Sequence, residues 1–141
     1  MMRFLIPVDG SPHSKRTVQH VIHLAQCQEV PEIHLINVRE PVSSWEVRSF
    51  LTDEEIAQMQ QSEGEQDLRD ARALLDAAGL TYETRVLAGP VPQTIADYAD
   101  AHGCHQIIMG THGRGGLANL FLGSVATKVV HLAKVPVTLV R

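Results

Sequence analysis

The chain has 141 residues, 44% of them hydrophobic and 20% charged, with a formal net charge of -4 at pH 7, which is typical of one globular domain. The negative charge argues against a broad nucleic-acid surface, although one anionic ligand in a local pocket remains compatible with it. Because no stretch approaches the roughly 20 apolar residues of a membrane span and no secretory signal is evident, we expect a cytoplasmic protein without membrane contact.

Strand and helix signals alternate along the first part of the chain. A continuous apolar run predicts a buried strand over Arg3–Asp9. Ser11 followed by Pro12 predicts the start of a helix that ends near Gln28. A second strand is predicted over Glu32–Arg39, where apolar residues again dominate. The chain therefore begins with a strand, a tight turn, a helix and another strand.

The segment Glu40–Leu51 has the weakest pattern, and it contains the only tryptophan, Trp45. Its length exceeds a minimal connection, which favours a flap over a neighbouring site. A loop folded onto the outer face of the following helix is an equal alternative. Thr52 and Glu55 then form a capping-box signature for a long helix that ends at Gly79.

The second part of the chain continues the alternation. A partly alternating strand over Thr81–Leu87 is expected near a sheet edge, and a helix is predicted over Pro92–Gly103. The apolar run Gln106–Met109 predicts a fourth strand. A last helix is predicted to begin at Ser124, and a last strand covers Val135–Val140 with a proline near its start, which edge strands tolerate.

This order of elements predicts an α/β fold with a parallel sheet, right-handed crossovers and helices on both faces. Periodicity alone fits the strand orders 2-1-3-4-5 and 3-2-1-4-5 equally well. In both, ligands bind beyond the carboxyl ends of the strands where the winding direction reverses. In the order 3-2-1-4-5 that crevice lies between the first and fourth strands, so the turns after Val8 and Met109 would face each other.

The glycines after the fourth strand have a spacing that suits a phosphate-binding loop. Gly110 is followed by two residues and Gly113, then by nine residues and Gly123, and Ser124 opens the last helix. In such an arrangement, backbone N–H groups and the positive end of a helix dipole converge on an anion. Glycine is expected because a side chain would block close approach and because such loops visit positive φ. A flexible surface loop is the alternative.

Cysteines and histidines give little sign of metal binding or catalysis. Cys27 and Cys104 lack a paired spacing and are expected to be buried or half-buried thiols. The eight histidines show no spacing that favours metal ligation, and His112 is expected to be exposed, although it could touch phosphate or ribose. The stretch 115–117 lacks the lysine and hydroxyl residue of a Walker loop, and no motif places a carboxylate to activate water.

Two motifs together resemble the universal stress protein family, specifically its ATP-binding branch. They are the turn Pro7–Ser11 and the set Gly110, Gly113, Gly123 and Ser124. The resemblance covers essentially the whole chain as one universal stress protein domain, including a Pro-Val-x-x-Val ending. It implies the strand order 3-2-1-4-5 of the Rossmann-like, adenine nucleotide alpha hydrolase-like folds. It also implies bound ATP, with Mg²⁺ or Mn²⁺ on the phosphates.

The resemblance further implies roles for individual residues. Asp9 would lie near the ribose and the backbone of Val38 would meet the adenine, while the glycines would line the ribose and phosphate path. Arg114 is the cationic candidate for a terminal phosphate, with a solvated loop arginine as the alternative. Asp9 could instead merely close an Asx turn before Ser11. The implied site comprises Pro7, Val8, Asp9, Val38, Met109, Gly110, Gly113, Arg114, Gly123, Ser124 and Val125.

The favoured function is an ATP-binding stress-response or signalling module that hydrolyses ATP weakly or not at all. A slow ATPase or nucleotidyl transferase of the same fold group is one alternative, and a dimeric stress protein that binds no nucleotide is another. The resemblance implies a homodimer through antiparallel pairing of Val137–Val140, whose exposed strand would present unpaired backbone groups.

Overall fold

The fold was obtained as a computed structural model that describes residues 1–113 and 121–141. Within these residues, strands and helices alternate along most of the chain, with two helices in succession after the second strand. The elements are β1 (Arg3–Pro7), α1 (Pro12–Cys27), β2 (Glu32–Arg39), α2 (Trp45–Phe50), α3 (Asp53–Ala77), β3 (Glu83–Ala88), α4 (Val91–Ala101), β4 (Gln106–Gly110), α5 (Ser124–Leu132) and β5 (Val137–Val140).

The strands form one parallel sheet in the order β3-β2-β1-β4-β5. The order 3-2-1-4-5 is therefore confirmed and the alternative 2-1-3-4-5 is excluded. β1 pairs with β2 through Ile6 and Leu35, and with β4 through Leu5 and Ile107. The chain winds outward from β1 in one direction and from β4 in the other, so a crevice is expected between their carboxyl ends.

Successive side chains of the buried strands alternate between two apolar layers. Phe4 and Ile6 pack with residues of α1 and α3 on one face of the sheet. Leu5 and Ile107 pack with residues of α4 and α5 on the other face. Each fully buried side chain of this size contributes roughly 1.5 to 3 kcal/mol to folding, so the double-sided core fixes the register of the central strands. The expected helices on both faces are confirmed.

The predicted helix starts are confirmed at the level of single hydrogen bonds. The Ser11 hydroxyl accepts the backbone N–H of Ser14 at 3.3 Å and caps α1. Thr52 and Glu55 form the reciprocal capping box of α3, with both hydrogen bonds 3.1 Å long. Gly79 follows α3 with a φ of 71°, the left-handed conformation that glycine adopts without strain.

The helix α3 approaches the sheet unusually closely at Gly64. This buried glycine faces β3, and a Cβ atom added to it would lie 2.4 Å from Cγ1 of Val86. Real Cβ atoms do not approach other carbons this closely, so the contact requires glycine. The close packing places the polar face of α3 beside the carboxyl end of β2.

The segment Glu40–Leu51 differs from its prediction because it contains the short helix α2, which the sequence pattern did not indicate. Trp45 is 74% exposed and Phe50 is 87% exposed, so neither aromatic ring covers a neighbouring surface. The segment meets α3 through a hydrogen bond from Nε2 of Gln60 to the carbonyl oxygen of Glu40, 3.0 Å long. Whether the segment moves toward a ligand stays a prediction.

Three smaller expectations are decided by the fold. β3 lies at one edge of the sheet, as predicted. Cys104 is buried, as expected, but Cys27 is exposed at the end of α1, so the expectation of a buried or half-buried thiol there is wrong. None of the helices in residues 1–113 and 121–141 combines the length and the apolar character needed to cross a membrane.

Candidate functional site

A cavity of about 210 Å³ opens at the carboxyl ends of β1 and β4, where the winding of the sheet reverses. The structure brings together around it all the predicted site residues that it describes. They are Pro7, Val8, Asp9, Val38, Met109, Gly110, Gly113, Gly123, Ser124 and Val125. The remaining one, Arg114, lies outside the described residues. The cavity is also lined by residues that the sequence analysis did not select, among them Ser14, Val91, Ile95 and Thr111.

The turns after β1 and β4 touch each other at this cavity. A Cβ atom added to Gly113 would lie only 2.5 Å from Oδ2 of Asp9. A Cβ atom added to Gly123 would lie 3.2 Å from the carbonyl oxygen of Thr111. The loop after β4 therefore lies against the Asp9 carboxylate on one side and against the start of α5 on the other. A side chain at either position would force the neighbouring atoms to shift, and the shift required is larger at Gly113.

The expectation that the motif glycines adopt positive φ angles is wrong. Among the described residues, positive φ angles occur at Gly10, Gly79, Gly89 and Gly103, and not at the motif glycines 110, 113 and 123. The motif glycines are needed because they leave room for neighbouring atoms, which was the first of the two predicted reasons. The spacing of the motif thus encodes close contacts rather than left-handed backbone.

Asp9 is held by its own turn. Its Oδ1 accepts hydrogen bonds from the backbone N–H of Ser11 at 3.0 Å and from the Ser14 hydroxyl at 2.9 Å. The Asx turn proposed as an alternative role for Asp9 is therefore present. This turn uses Oδ1, while Oδ2 is the carboxylate oxygen that faces Gly113. Ser14 was missed, although its position three residues after the cap Ser11 was a usable signal.

Asn37 is a second residue that the sequence analysis missed. Its side chain is 2% exposed, and its Nδ2 donates a hydrogen bond to the carbonyl oxygen of Val8 at 2.9 Å. The same nitrogen is 3.4 Å from Oδ2 of Asp67 on α3. This residue ties the carboxyl end of β2 to the chain just before Asp9. A polar side chain inside an apolar strand, near its carboxyl end, was the available signal.

The N-terminus of α5 supplies backbone donors on the opposite wall. Gly123 caps the helix with an extended conformation and Ser124 is its first residue, so the predicted helix start at Ser124 is confirmed. The N–H of Gly123 bonds to the carbonyl oxygen of Thr111 at 2.7 Å, which fixes the helix against the turn after β4. The first N–H groups of a helix have no partner within it, and they carry the positive end of its dipole. Ser124 and Val125 bring this end to the cavity.

Charged side chains at the cavity are few among the described residues. Asp9 contributes a carboxylate, and half-buried His112 lines the wall beside it, so its expected full exposure is wrong. The pKa of the neighbouring His13 is lowered by burial, and also by Arg16 and His112, while Asp9 opposes this shift. Residues 1–113 and 121–141 contain no cluster of three or more His, Cys, Asp or Glu side chains that could hold a metal ion.

A second cavity of about 450 Å³ adjoins the first and shares Asp9, Val38 and Val91 with it. It lies between the end of β2, the segment that follows and α3. Its remaining lining includes the charged residues Arg39, Glu40, Glu63 and Asp67. Arg39 is engaged there: its Nη2 is 2.6 Å from Oε2 of Glu63, and its Nη1 is 3.1 Å from Oδ2 of Asp67.

The fold and the first cavity define a doubly wound α/β protein with a crevice at its switch point, lined by apolar side chains, glycines and the Asp9 carboxylate. The chain belongs to the universal stress protein family, because the family model described as "Universal stress protein family" matches residues 1–141. It is 32% identical to universal stress protein MJ0531 of Methanocaldococcus jannaschii, over 99% of this chain and 81% of that protein. It is 31% identical to universal stress protein YxiE of Bacillus subtilis, over 99% of this chain and 98% of that protein.

Solved structures share the fold. The chain superposes on protein MJ0577 with a TM-score of 0.81 and 24% identity, covering 98% of this chain and 94% of that one. A universal stress protein from Archaeoglobus fulgidus, solved in complex with dAMP, has a TM-score of 0.67 and 24% identity over 100% and 98% of the two chains. An Arabidopsis thaliana family member with AMP bound has a TM-score of 0.69 and 16% identity over 99% and 90%.

Proposed function

We propose that this protein binds ATP in the crevice between β1 and β4, as a stress-response or signalling module that hydrolyses ATP slowly or not at all. The observation that carries the proposal is the close approach of the Asp9 carboxylate to the glycine loop. A Cβ atom added to Gly113 would lie 2.5 Å from Oδ2 of Asp9. It joins an acceptor suited to ribose hydroxyls to a run of amides suited to phosphate. A nucleotide needs both kinds of group in one site, because its ribose hydroxyls and its phosphates belong to the same molecule.

The two ends of the crevice suit different parts of the ligand. Val91, Ile95 and Met109 provide apolar walls for the base, and the backbone of Val38 lies at the same end. Oδ2 of Asp9 would accept a hydrogen bond from a ribose hydroxyl. The N–H groups at the start of α5 would donate to phosphate oxygens, and each charge-assisted bond of this kind contributes about 1.5 to 3 kcal/mol before losses elsewhere.

Family relatives support an adenine nucleotide as the ligand class. Solved members of the family hold dAMP, AMP or, in a further structure, cAMP. ATP rather than a monophosphate is our proposal, and it follows from the helix N-terminus and glycine loop, which offer more donors than one phosphate uses. The described side chains lack a metal-binding cluster. A Mg²⁺ or Mn²⁺ ion would therefore be bound mainly by the phosphates and water.

Hydrolysis should be weak because no described carboxylate is placed as a base for water at the phosphate end. Oδ1 of Asp9 is already bonded to Ser11 and Ser14, and Oδ2 faces the glycine loop. We expect phosphate release far below the roughly 10 per second that is typical of enzymes. Phosphate release measured with Mg²⁺ and ATP tests this, and turnover near that value would establish an ATPase instead.

We also propose that the protein is a cytoplasmic homodimer joined through β5. This strand is the last in the sheet order, and it pairs with β4 on one side. Its other side would offer N–H and C=O groups to a second copy in antiparallel pairing. The half-buried residues Val137 and Leu139 pack against the α4 and α5 layer of the core. Light scattering would give the mass of a dimer, and a monomer at high concentration would contradict this part of the proposal.

The direct test is the nucleotide content of the purified protein. The protein is denatured, and the released small molecules are separated by chromatography and identified by absorbance. Stripped protein is then titrated with ATP, ADP, AMP and adenosine by calorimetry. We expect an adenine nucleotide to be released and ATP to bind more tightly than adenosine. No released nucleotide together with no heat of binding for any of the four ligands would overturn the proposal.

A further inference from the structure

Two histidines from separate parts of the chain meet beside the loop after β4. His13 is the second residue of α1, and His112 follows Thr111 in the turn after β4. Their ring centroids are 5.5 Å apart, with the ring planes inclined by 48°. Both side chains are half-buried. The sequence separation shows that this pair is created by the fold.

The surrounding glycines hold the pair at the anion-binding end of the crevice. A Cβ added to Gly110 would lie 2.9 Å from Cβ of His13, so the end of β4 is pressed against the first turn of α1. A Cβ added to Gly123 would lie 3.3 Å from Cα of His112, so this histidine adjoins the start of α5. His112 lines the cavity, and His13 lies directly behind it. His112 therefore adjoins both the crevice and the start of α5, and His13 adjoins His112.

Burial and the neighbouring charges oppose protonation of His13 when no ligand is bound. Arg16 on α1 and His112 lower the pKa of His13, in addition to the larger effect of burial. Asp9, after β1, acts in the opposite direction. Nδ1 of His112 is 3.1 Å from the Thr111 hydroxyl, which limits the orientations of this ring. A bound anion would oppose this lowering of the pKa, since a negative charge favours the protonated form of an imidazole.

We propose that His13 and His112 recognise the phosphate tail of the nucleotide and set the preference for adenosine polyphosphates over adenosine. This inference rests on the proposed nucleotide site. Protonated imidazoles would donate N–H groups to phosphate oxygens and add positive charge that the described wall of the crevice otherwise lacks. Adenosine has no group that reaches this end. The pair therefore affects the preference for phosphorylated ligands and not the binding of the adenine base.

The sign of the pH effect follows from the charges. Phosphate stabilises an imidazolium, whereas burial lowers the pKa of His13 in the free protein. Binding of ATP therefore takes up protons, and ATP affinity rises as the pH falls toward and below the ordinary histidine value of about 6.5. Adenosine affinity should show a much smaller dependence. The terminal phosphate itself titrates near pH 6, so variants measured at the same pH are needed to isolate the histidines.

The test measures ATP and adenosine affinities by calorimetry at about pH 6 and about pH 8. The variants are His13→Gln, His112→Gln and both together, and His131→Gln is the matched control because this exposed histidine lies at the far end of α5. In the parent protein, the ratio of ATP to adenosine affinity should rise roughly 10-fold between about pH 8 and about pH 6. The double variant should lose most of this rise, and His131→Gln should keep it.

Each outcome decides the inference. A double variant that keeps the full parent ratio at low pH would overturn it. If the double variant does not fold, the single variants decide, because each should lose part of the rise. Binding of ATP with the same ratio at both pH values in the parent protein would contradict the role of the histidines but leave the nucleotide site standing. Failure of the parent to bind either ligand would refute the proposed function, and the inference with it.

Discussion

Two cavities meet at Asp9, and their walls are chemically opposite. The smaller one, about 210 Å³, is bordered by glycines and the N-terminus of α5. The larger one, about 450 Å³, is bordered by Glu40, Glu63 and Asp67, and its Arg39 is engaged by two of these carboxylates. A polyphosphate would meet donors in the first and net negative charge in the second. The kind of group in the wall, rather than the volume, therefore favours the smaller cavity as the proposed anion site.

The largest loss of ATP binding is expected when the smaller cavity is filled. Gly113→Val would place side-chain atoms where Oδ2 of Asp9 now lies, since even a Cβ would approach to 2.5 Å. We expect ATP affinity to fall by about 100-fold or more, which corresponds to at least about 2.7 kcal/mol. Calorimetry measures the loss. Ala101→Val, which adds similar bulk at an exposed position at the end of α4, should bind ATP normally. Undiminished binding by Gly113→Val would place the site elsewhere.

A more limited substitution removes only the negative charge of Asp9, whose carboxylate borders both cavities. Asp9→Asn keeps an oxygen that can accept the bonds from Ser11 and Ser14, so the turn should survive. Loss of a charge-assisted hydrogen bond should weaken the binding of both ATP and adenosine by about 1.5 to 3 kcal/mol. Titration with both ligands checks this, with Asp97→Asn on the exposed face of α4 as the control. Equal affinities in Asp9→Asn and the parent would show that the carboxylate does not hold the ribose.

Gly64 is a second glycine in close contact with its neighbours, and it allows an effect on stability to be distinguished from an effect on ATP binding. Gly64→Ala would bring a Cβ to 2.4 Å from Cγ1 of Val86, at the packing of α3 on the sheet. Overpacking of this kind should lower the free energy of unfolding by at least about 1 kcal/mol. Denaturant unfolding measures it, and calorimetry at low temperature should show ATP affinity near that of the parent. A loss of affinity without a loss of stability would mean that α3 takes part in binding.

The smallest effect is expected in the larger cavity. Glu63→Gln removes one carboxylate, which is 2.6 Å from the Arg39 guanidinium and partly exposed. The change should alter ATP affinity by less than about 3-fold, because partly exposed charges are screened by solvent and salt. Gln60→Glu on the same helix would add a charge to the same wall and should be equally mild. A large loss in either variant would indicate that the nucleotide enters the larger cavity.

The sequence was sufficient for the architecture because the architecture depends on local patterns. Apolar runs such as Gln106–Met109, and caps such as Thr52 with Glu55, mark strands and helix starts within a few residues of themselves. The order of the strands needed the family resemblance as well, because periodicity could not decide between two windings. The meeting of the turns after Val8 and Met109 then followed from the rule for switch points.

The missed features are contacts between distant parts of the chain. Asn37 bonds to Val8 across 29 positions, and His13 meets His112 from another element. No local pattern reports such pairs. The motif glycines were found by their spacing, but the structure shows that they serve close approach and not positive φ. The helix α2 was missed because its exposed residues, such as Trp45, have no buried face to produce a periodic pattern.

The most direct test of the central claim follows backbone amide signals by nuclear magnetic resonance while ATP is added to the stripped protein. We expect the largest shifts at Gly110, Gly113 and the residues at the start of α5, with smaller shifts at Asp9. Shifts concentrated on Glu40–Val42 and on the α3 residues Glu63 and Asp67, with the glycine amides unmoved, would contradict it.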